Sequence, residues 1–406
     1  MPESSSAPDP AAPFATRLSY YRRRAGKSRA VVGGLVGRSA EWVKALETGR
    51  LGMPRLPMLI RLAEVLDVDD LAELTGEAKL SRVTYAKRAP GDLDSIRNAM
   101  ASPVDRTKAP GSPPHFAHRV AKAWRVWHSS ETERDSVAPM LPDLISDGRA
   151  MMRALDGTER RDVARHLAQA YHLAQLYASH TPAAELVYMT GDRAMLTAED
   201  ADDPIAMAGA AWYLNHVWRD AGEAAEARVA VATDAASMLD PANSTEERAL
   251  YSLMHLAVAL SHAKLGKDGQ AWFHHDKARQ AAASLDGYVH PWLMIGRGMV
   301  EHYAVTIHLD LQKPGHALQA ANSIHPSGVP SRTRQSRYLV EVARAHYRQG
   351  DPVAAIHLMN KARNVSVDTF SFSLFAKSMV SEMLPGAPAA VEDEVRDLAR
   401  TLRLIT

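Results

Sequence analysis

Apolar residues recur at helical spacing along almost the whole chain. In "FATRLSYYRRRAGKS", Phe14, Leu18 and Tyr21 share one side of a first helix; "LPMLIRLAEVLDV" repeats the pattern with Leu59, Leu62, Ala63 and Leu66. "DDLAELTG" adds a short closing helix. Between these, Ser28 caps a helix to about residue 36, with Val31, Val32 and Leu35 as its apolar side. Gly37 ends that helix, and Ser39 caps another over 40–48 that stops at Gly49. From 115 onward the spacing predicts helices near 115–129, 135–155, 158–179, 182–200, 204–220, 222–239, 245–265, 268–284, 291–310, 314–324, 332–349, 352–364, 368–384 and 389–404. No alternating strand pattern interrupts them. The expected fold class is all-α: a five-helix N-terminal unit followed by a helical array.

The glycines of "AVVGGLVGRSAEW" invite a phosphate-loop reading, which the spacing rejects. Val32 stands where the first Gly of that loop is required, Arg38 stands where its Lys is required, and the dinucleotide pattern is also absent. Two short helices joined by a tight Gly-containing turn are instead a helix-turn-helix. Gly33 lets the two helices cross closely. Gly34 costs about 1 kcal/mol against Ala inside a helix, and nothing in the sequence repays it.

With these positions in place, "RRRAGKSRAVVGGLVGRSAEWVKALETGR" resembles the Cro/repressor-type helix-turn-helix, also called the xenobiotic-response-element (XRE) type, over residues 14–76. Ser28, Gly33, Gly37, Ser39, Val43, Leu46, Glu47 and Gly49 carry the likeness. The Gln that usually follows the capping Ser is here Arg29. Helical geometry puts Glu41, Lys44, Ala45 and Thr48 on one face of the second helix, which begins at Ser39, with Val43 and Leu46 opposite. The resemblance implies that Ala40, Glu41, Lys44 and Ala45 read base edges in a major groove. Glu41 would accept from cytosine, and the alanines would touch thymine methyls. Arg29, Arg38, Arg50 and Arg55 are candidate phosphate anchors, and Arg22 with Glu47 resembles the family's internal ion pair.

Charge sharpens this picture. Residues 14–61 hold eleven Lys or Arg against two acids, whereas the whole chain nets only +1. Positive charge gathered on one small module marks a polyanion partner, expected to be double-stranded DNA with an inverted-repeat operator. The chain is long enough for two or more domains, contains no cysteine, and has no apolar run long enough to span a membrane. Its first thirteen residues read as a disordered tail without a secretion leader. A cytoplasmic location follows as an expectation. Arg far outnumbers Lys beside abundant Ala, the usage of a GC-rich bacterial genome.

Residues 77–114 read as a linker from their Pro, Gly and Ser content, with a short helix near 92–101; 115–154 reads as a helical connector. Over 155–404 helix pairs recur about every forty residues, clearest in "YLVEVARAHYRQGDPVAAIHLMNKAR". These pairs resemble degenerate tetratricopeptide (TPR) repeats. An XRE-type module joined to such a solenoid resembles bacterial transcription regulators, including peptide-sensing ones, which implies a homodimer and a peptide or small-molecule effector. In the expected register Trp212, His216, Arg219, His302, Thr306, Arg337, Arg344 and Tyr347 line a concave ligand groove, and Asn215 lies in the interior seam. A protein-binding adaptor remains the alternative. Catalysis finds little support: no two of the eighteen His stand four apart, "FHHDK" splays its side chains, and neither a G-x-S-x-G elbow nor a Cys nucleophile is present. No cofactor or metal is expected.

Overall fold

A computed structural model describes residues 8–9, 12–76, 87, 89–104, 111–221 and 225–405, without the side chains of 217, 219–221 and 225. Most of the tail expected over 1–13 and much of the linker over 77–114 therefore lie outside the described residues. Every regular element among the described residues is a helix. None is long and apolar enough to cross a membrane.

The N-terminal unit comprises α1 (Phe14–Arg24), α2 (Arg29–Leu35), α3 (Ala40–Glu47), α4 (Leu56–Leu66) and α5 (Leu71–Thr75). Its boundaries follow from local chemistry. Ser28, Ser39 and Asp70 accept hydrogen bonds from the first-turn N–H groups of Val31, Trp42 and Ala72. Gly37 and Gly49 take the left-handed conformation that ends the turns after α2 and α3, with φ of 65° and 71°. Phe14, Leu18, Tyr21, Val32, Val36, Val43, Leu46, Leu59, Leu62 and Leu66 form a core of their own. On α2 only Val32 and Gly33 are buried, with Val36 just past its end also inside. Val31 and Leu35, expected on the apolar side, are 48% and 60% exposed.

The remaining helices form hairpins. Gly157–Ala178 packs on Ala184–Asp200, Thr245–Lys264 on Asp268–Ala283, and Arg332–Arg348 on Pro352–Val365. Three expected long helices are shorter, the one expected over 135–155 dividing into Glu133–Val137 and Leu141–Ala154. The one expected over 291–310 begins at Arg297, because 286–296 is a turn in which Met294 has φ 61° and His290 Nδ1 accepts from Leu293 N–H. The one expected over 368–384 divides into Val367–Ser371 and Leu374–Met383, where Ser373 caps a fresh helix. The helix inside the expected linker is present as Leu93–Ala101. It buries Leu93, Ile96 and Met100 in the large core, and Arg149 and Arg193 hold its C-terminal carbonyls.

The array closes on itself. Pro113–Ser129, read from sequence as part of a connector, carries Trp124 into the interior against Trp292 at 5.2 Å and Tyr213 at 6.2 Å. Gly209 lies so close to the Trp292 ring that a Cβ there would meet it at 2.8 Å. His128, on the same helix, bonds the Trp292 carbonyl through Nε2 at 2.9 Å and Ser331 Oγ through Nδ1 at 2.8 Å. A carbonyl only accepts, so Nε2 carries the proton.

The next helix, Glu133–Val137, latches onto the far end of the array. Glu133 has no exposed surface. Its carboxylate accepts from Ser366 Oγ at 2.7 Å and Thr369 Oγ1 at 2.5 Å. Arg134, 2% exposed, stacks on Phe372 at 4.2 Å and Trp127 at 5.5 Å, and its N–H donates to Asp368. The Glu131 carbonyl accepts from Val367 N–H at 3.1 Å, and its carboxylate accepts from Arg332 at 2.7 Å. Burial pushes the Glu133 carboxyl up, against the pull of Arg134 and the two hydroxyls.

Two predictions follow from this closure. Removing one partner of a buried ion pair strands the other, so Glu133→Ala should cost about 3–5 kcal/mol. Glu133→Gln, which keeps one acceptor oxygen and sets an N–H donor against the other hydroxyl, should cost less. Urea unfolding of both variants, beside the exposed-pair control Arg396→Ala, checks this. Burial also depresses His128 to about 4, with the Trp292 carbonyl pulling back and Arg334 adding to the drop, and His172 to about 3, with the nearby Gln175 amide pulling back. An unfolded histidine takes up a proton below about 6.5, whereas these folded ones do not. Stability is therefore complete at neutral pH and falls with acidification, by about 2 kcal/mol per histidine between pH 7 and 5. Urea midpoints across that range should drop, and His172→Phe should flatten the slope.

Candidate nucleic-acid interface

One carboxylate organises the N-terminal module. Glu47, at the end of α3, has a side chain 1% exposed and accepts from Arg22 Nε at 2.5 Å and Arg29 Nε at 2.6 Å. Arg22 also donates to the Lys27 carbonyl, which ties α1, the loop before α2, and α3 together. Burial lifts the Glu47 carboxyl, but the hydrogen bonds from Arg22 and Arg29 outweigh it and hold it below the usual carboxylate range. Arg22 and Glu47 thus form the internal pair expected. Arg29, a candidate phosphate anchor, joins the same carboxylate through Nε while its side chain stays 39% exposed.

The turn before α3 sets the direction of the reading helix. A Cβ at Gly33 would lie 2.8 Å from the Arg38 carbonyl and 2.9 Å from Ser39, so glycine is required where α2 and α3 cross. A Cβ at Gly34 would meet nothing, and no contact explains its glycine. Ser39 is 7% exposed and spends its hydroxyl on capping Trp42 at 3.1 Å.

The outer face of α3 carries a small network of exposed charges. Arg50 Nη2 lies 2.5 Å from Glu41 Oε1, and Lys44 Nζ lies 3.5 Å from Glu41 Oε2, all three side chains between 42% and 49% exposed. The Arg50 hydrogen bond holds the Glu41 carboxyl below its ordinary range despite some burial. Thr48 Oγ1 bonds back to the Lys44 carbonyl at 2.9 Å and accepts from Arg50 Nε at 3.3 Å. Exposed pairs of this kind are worth about 0–1 kcal/mol, whereas a good base contact is worth about 1–3 kcal/mol, so this network can open onto a duplex at little cost. Ala40 is exposed at the helix start, and Arg38 reaches toward the Trp42 ring at 5.8 Å, itself half-buried. Ala45 is corrected: it is 1% exposed, because the chain returns over it and Leu51 N–H donates to its carbonyl at 3.0 Å, so it reaches no thymine methyl. Arg55 sits over Phe375 of the helical array at 5.6 Å.

The residues expected to line a concave groove do not assemble into one. Trp212 is 1% exposed and packs edge-on against His216 at 4.4 Å and Tyr303 at 5.9 Å. His302 is 7% exposed and stacks on Tyr338 at 4.1 Å. Burial depresses its pKa to about 4. These rings are packed inside the array, which corrects Trp212 and His302 from groove to interior. Thr306 and Arg337 are half-buried, and the Arg219 side chain lies outside the described residues. Asn215 occupies the interior seam, donating to the Arg228 carbonyl at 2.7 Å. Arg344 and Tyr347 do come together, at the far end of the array. Arg344 stacks on Phe375 at 4.1 Å, and Tyr347 donates to Glu382 at 3.1 Å. Among the described residues no group of three His, Cys, Asp or Glu is arranged to hold a metal ion.

Sequence reasoning missed Gly266, Phe375 and Glu382, which touch the module from the array. Only the turn glycine carried any local signal. No curated protein matches the chain. Residues 13–75 match the family model for a helix-turn-helix domain, and with α2 and α3 crossed at Gly33 beneath a basic outer face, this module is a DNA-binding domain of the helix-turn-helix kind.

Proposed function

We propose that the chain is a sequence-specific transcriptional regulator of the XRE type. In this reading it acts in the cytoplasm as a homodimer, and its TPR-like array couples DNA binding to a peptide or small-molecule signal. The observation that carries it is the placement of charge. Residues 14–61 of the module hold eleven Lys or Arg against two acids in a chain that nets only +1, and Lys44, Arg50 and Glu41 stand on its outer face at α3 with side chains 42–49% exposed. A helix of this size fits the major groove, where Glu41 and Lys44 would meet base edges beside Ala40 and Thr48. Arg38, Arg50 and Arg55 would then position the module on phosphates. Two modules related by a dyad would occupy half-sites about 34 Å apart on an inverted repeat. An effector would act by favouring one arrangement of array and module over another. The role is binding rather than catalysis.

Selection of bound fragments from genomic DNA, followed by salt titration on the best fragment, tests the reading. Affinity should fall steeply with salt, and Lys44→Ala should weaken it about tenfold or more through a lost base contact. Arg50→Ala should lower the log–log salt slope by about one if its contact is to phosphate. No enriched fragment, or binding indifferent to salt, would turn the assignment to a protein-binding adaptor.

A further inference from the structure

The module rests on the array at two places, and both involve its DNA-facing parts. At the first, the turn between Thr245–Lys264 and Asp268–Ala283 brings Gly266 against the start of α3. A Cβ on Gly266 would fall 2.4 Å from Ser39 Cβ. Gly266 also has φ 72°, so both its backbone and its neighbour require glycine. At the second, the loop after α3 meets the Leu374–Met383 helix. A Cβ on Gly52 would fall 2.5 Å from Glu382 Oε1, and Arg55 lies over the Phe375 ring that Arg344 also stacks on. Tyr347 and Ser378 both donate to Glu382 at 3.1 Å and fix its carboxylate toward the loop.

We infer that these contacts form a docking face for the module, and that the docked chain is the form that does not engage DNA. The inference rests on the DNA-binding reading above. A recognition helix enters the groove with its N-terminal residues at base edges. The major groove is about 12 Å wide and a helix with side chains about 10–12 Å across, so α3 fills it. A second element touching the Ser39 cap occupies the space of the duplex. Gly266 is that element. Meanwhile Arg55, a candidate phosphate anchor, faces an aromatic ring, and Glu382 stands beside the same loop where a phosphate would lie. The contacts are few, so undocking is cheap, and apparent DNA affinity equals the intrinsic affinity scaled by the undocked fraction.

The chain has no cysteine, so a pair introduced as Gly52→Cys and Glu382→Cys reports on docking without competing thiols. The Gly52 Cβ position lies 2.7 Å from Glu382 Cδ, which puts the two Cβ atoms no more than about 5 Å apart, close to disulfide range. Mild oxidation of the full chain should form the cross-link. The oxidised protein should bind the selected DNA fragment more than tenfold more weakly than the same protein after reduction. A second variant without a cross-link, Phe375→Ala with Glu382→Ala, should bind several-fold more tightly than the parent chain. Thiols that stay free after oxidation would overturn the docking. A cross-linked chain that binds DNA as well as the reduced one would overturn the inhibition while leaving the DNA reading intact. A cross-link that forms in a chain binding no DNA in either state would sink the DNA reading, and this inference with it.

Discussion

Closure of the array depends on one buried carboxylate. Glu133 follows the Pro113–Ser129 helix, and its two hydroxyl partners lie 233 and 236 residues later in the chain. Holding a charge with no exposed surface is unfavourable unless neighbours supply both countercharge and hydrogen bonds. Arg134, Ser366 and Thr369 supply them, and Arg134 is in turn held between Trp127 and Phe372. Once these groups are paired, the ends of the array cannot part without stranding them. The interior is packed with rings: Trp124, His128, His172, Tyr213 and Trp292 form a cluster whose neighbouring centroids lie 4.7–6.2 Å apart. Trp212 is enclosed in the same interior, edge-on to His216 and Tyr303.

The module repeats the same logic on a smaller scale. Glu47 is buried and twice paired, and it fixes α3 relative to α1 and α2. The exposed Glu41, by contrast, holds Arg50 and Lys44 only in water-accessible pairs. Two carboxylates on one helix, six residues apart, therefore divide the work. The buried one sets the frame, and the exposed one keeps cations ordered yet exchangeable.

What was legible in the sequence was local. Ser28 and Ser39 announced helix starts through their hydroxyls, Gly37 and Gly49 announced ends through their backbone freedom, and Gly33 announced a close crossing. Apolar periodicity located nearly every helix. The site was only partly legible, because spacing assigns residues to a helix face but not that face to solvent or interior. Trp212 and His302 were given to a groove on spacing, and each proved to be packed inside the array. Arg29 looked free because Glu47 lies eighteen residues away. The latch at Glu133 joins residues too far apart in sequence for any local pattern to pair them.

Docking of the module uses two separate parts of the array rather than one. Gly266 belongs to the pair spanning 245–283, whereas Phe375 and Glu382 belong to a helix near the C-terminus. A module of fixed shape, framed by Glu47, touches both only when the array holds them at a matching separation. That separation is set by the helices between them, Arg297–Asp310 and Arg332–Arg348, whose packing runs through His302 against Tyr338. Anything that changes how these helices stack changes the fit at one contact relative to the other. A rigid two-point seat on a closed array thus converts a small change in curvature into loss of a contact, which a single-point contact does not do.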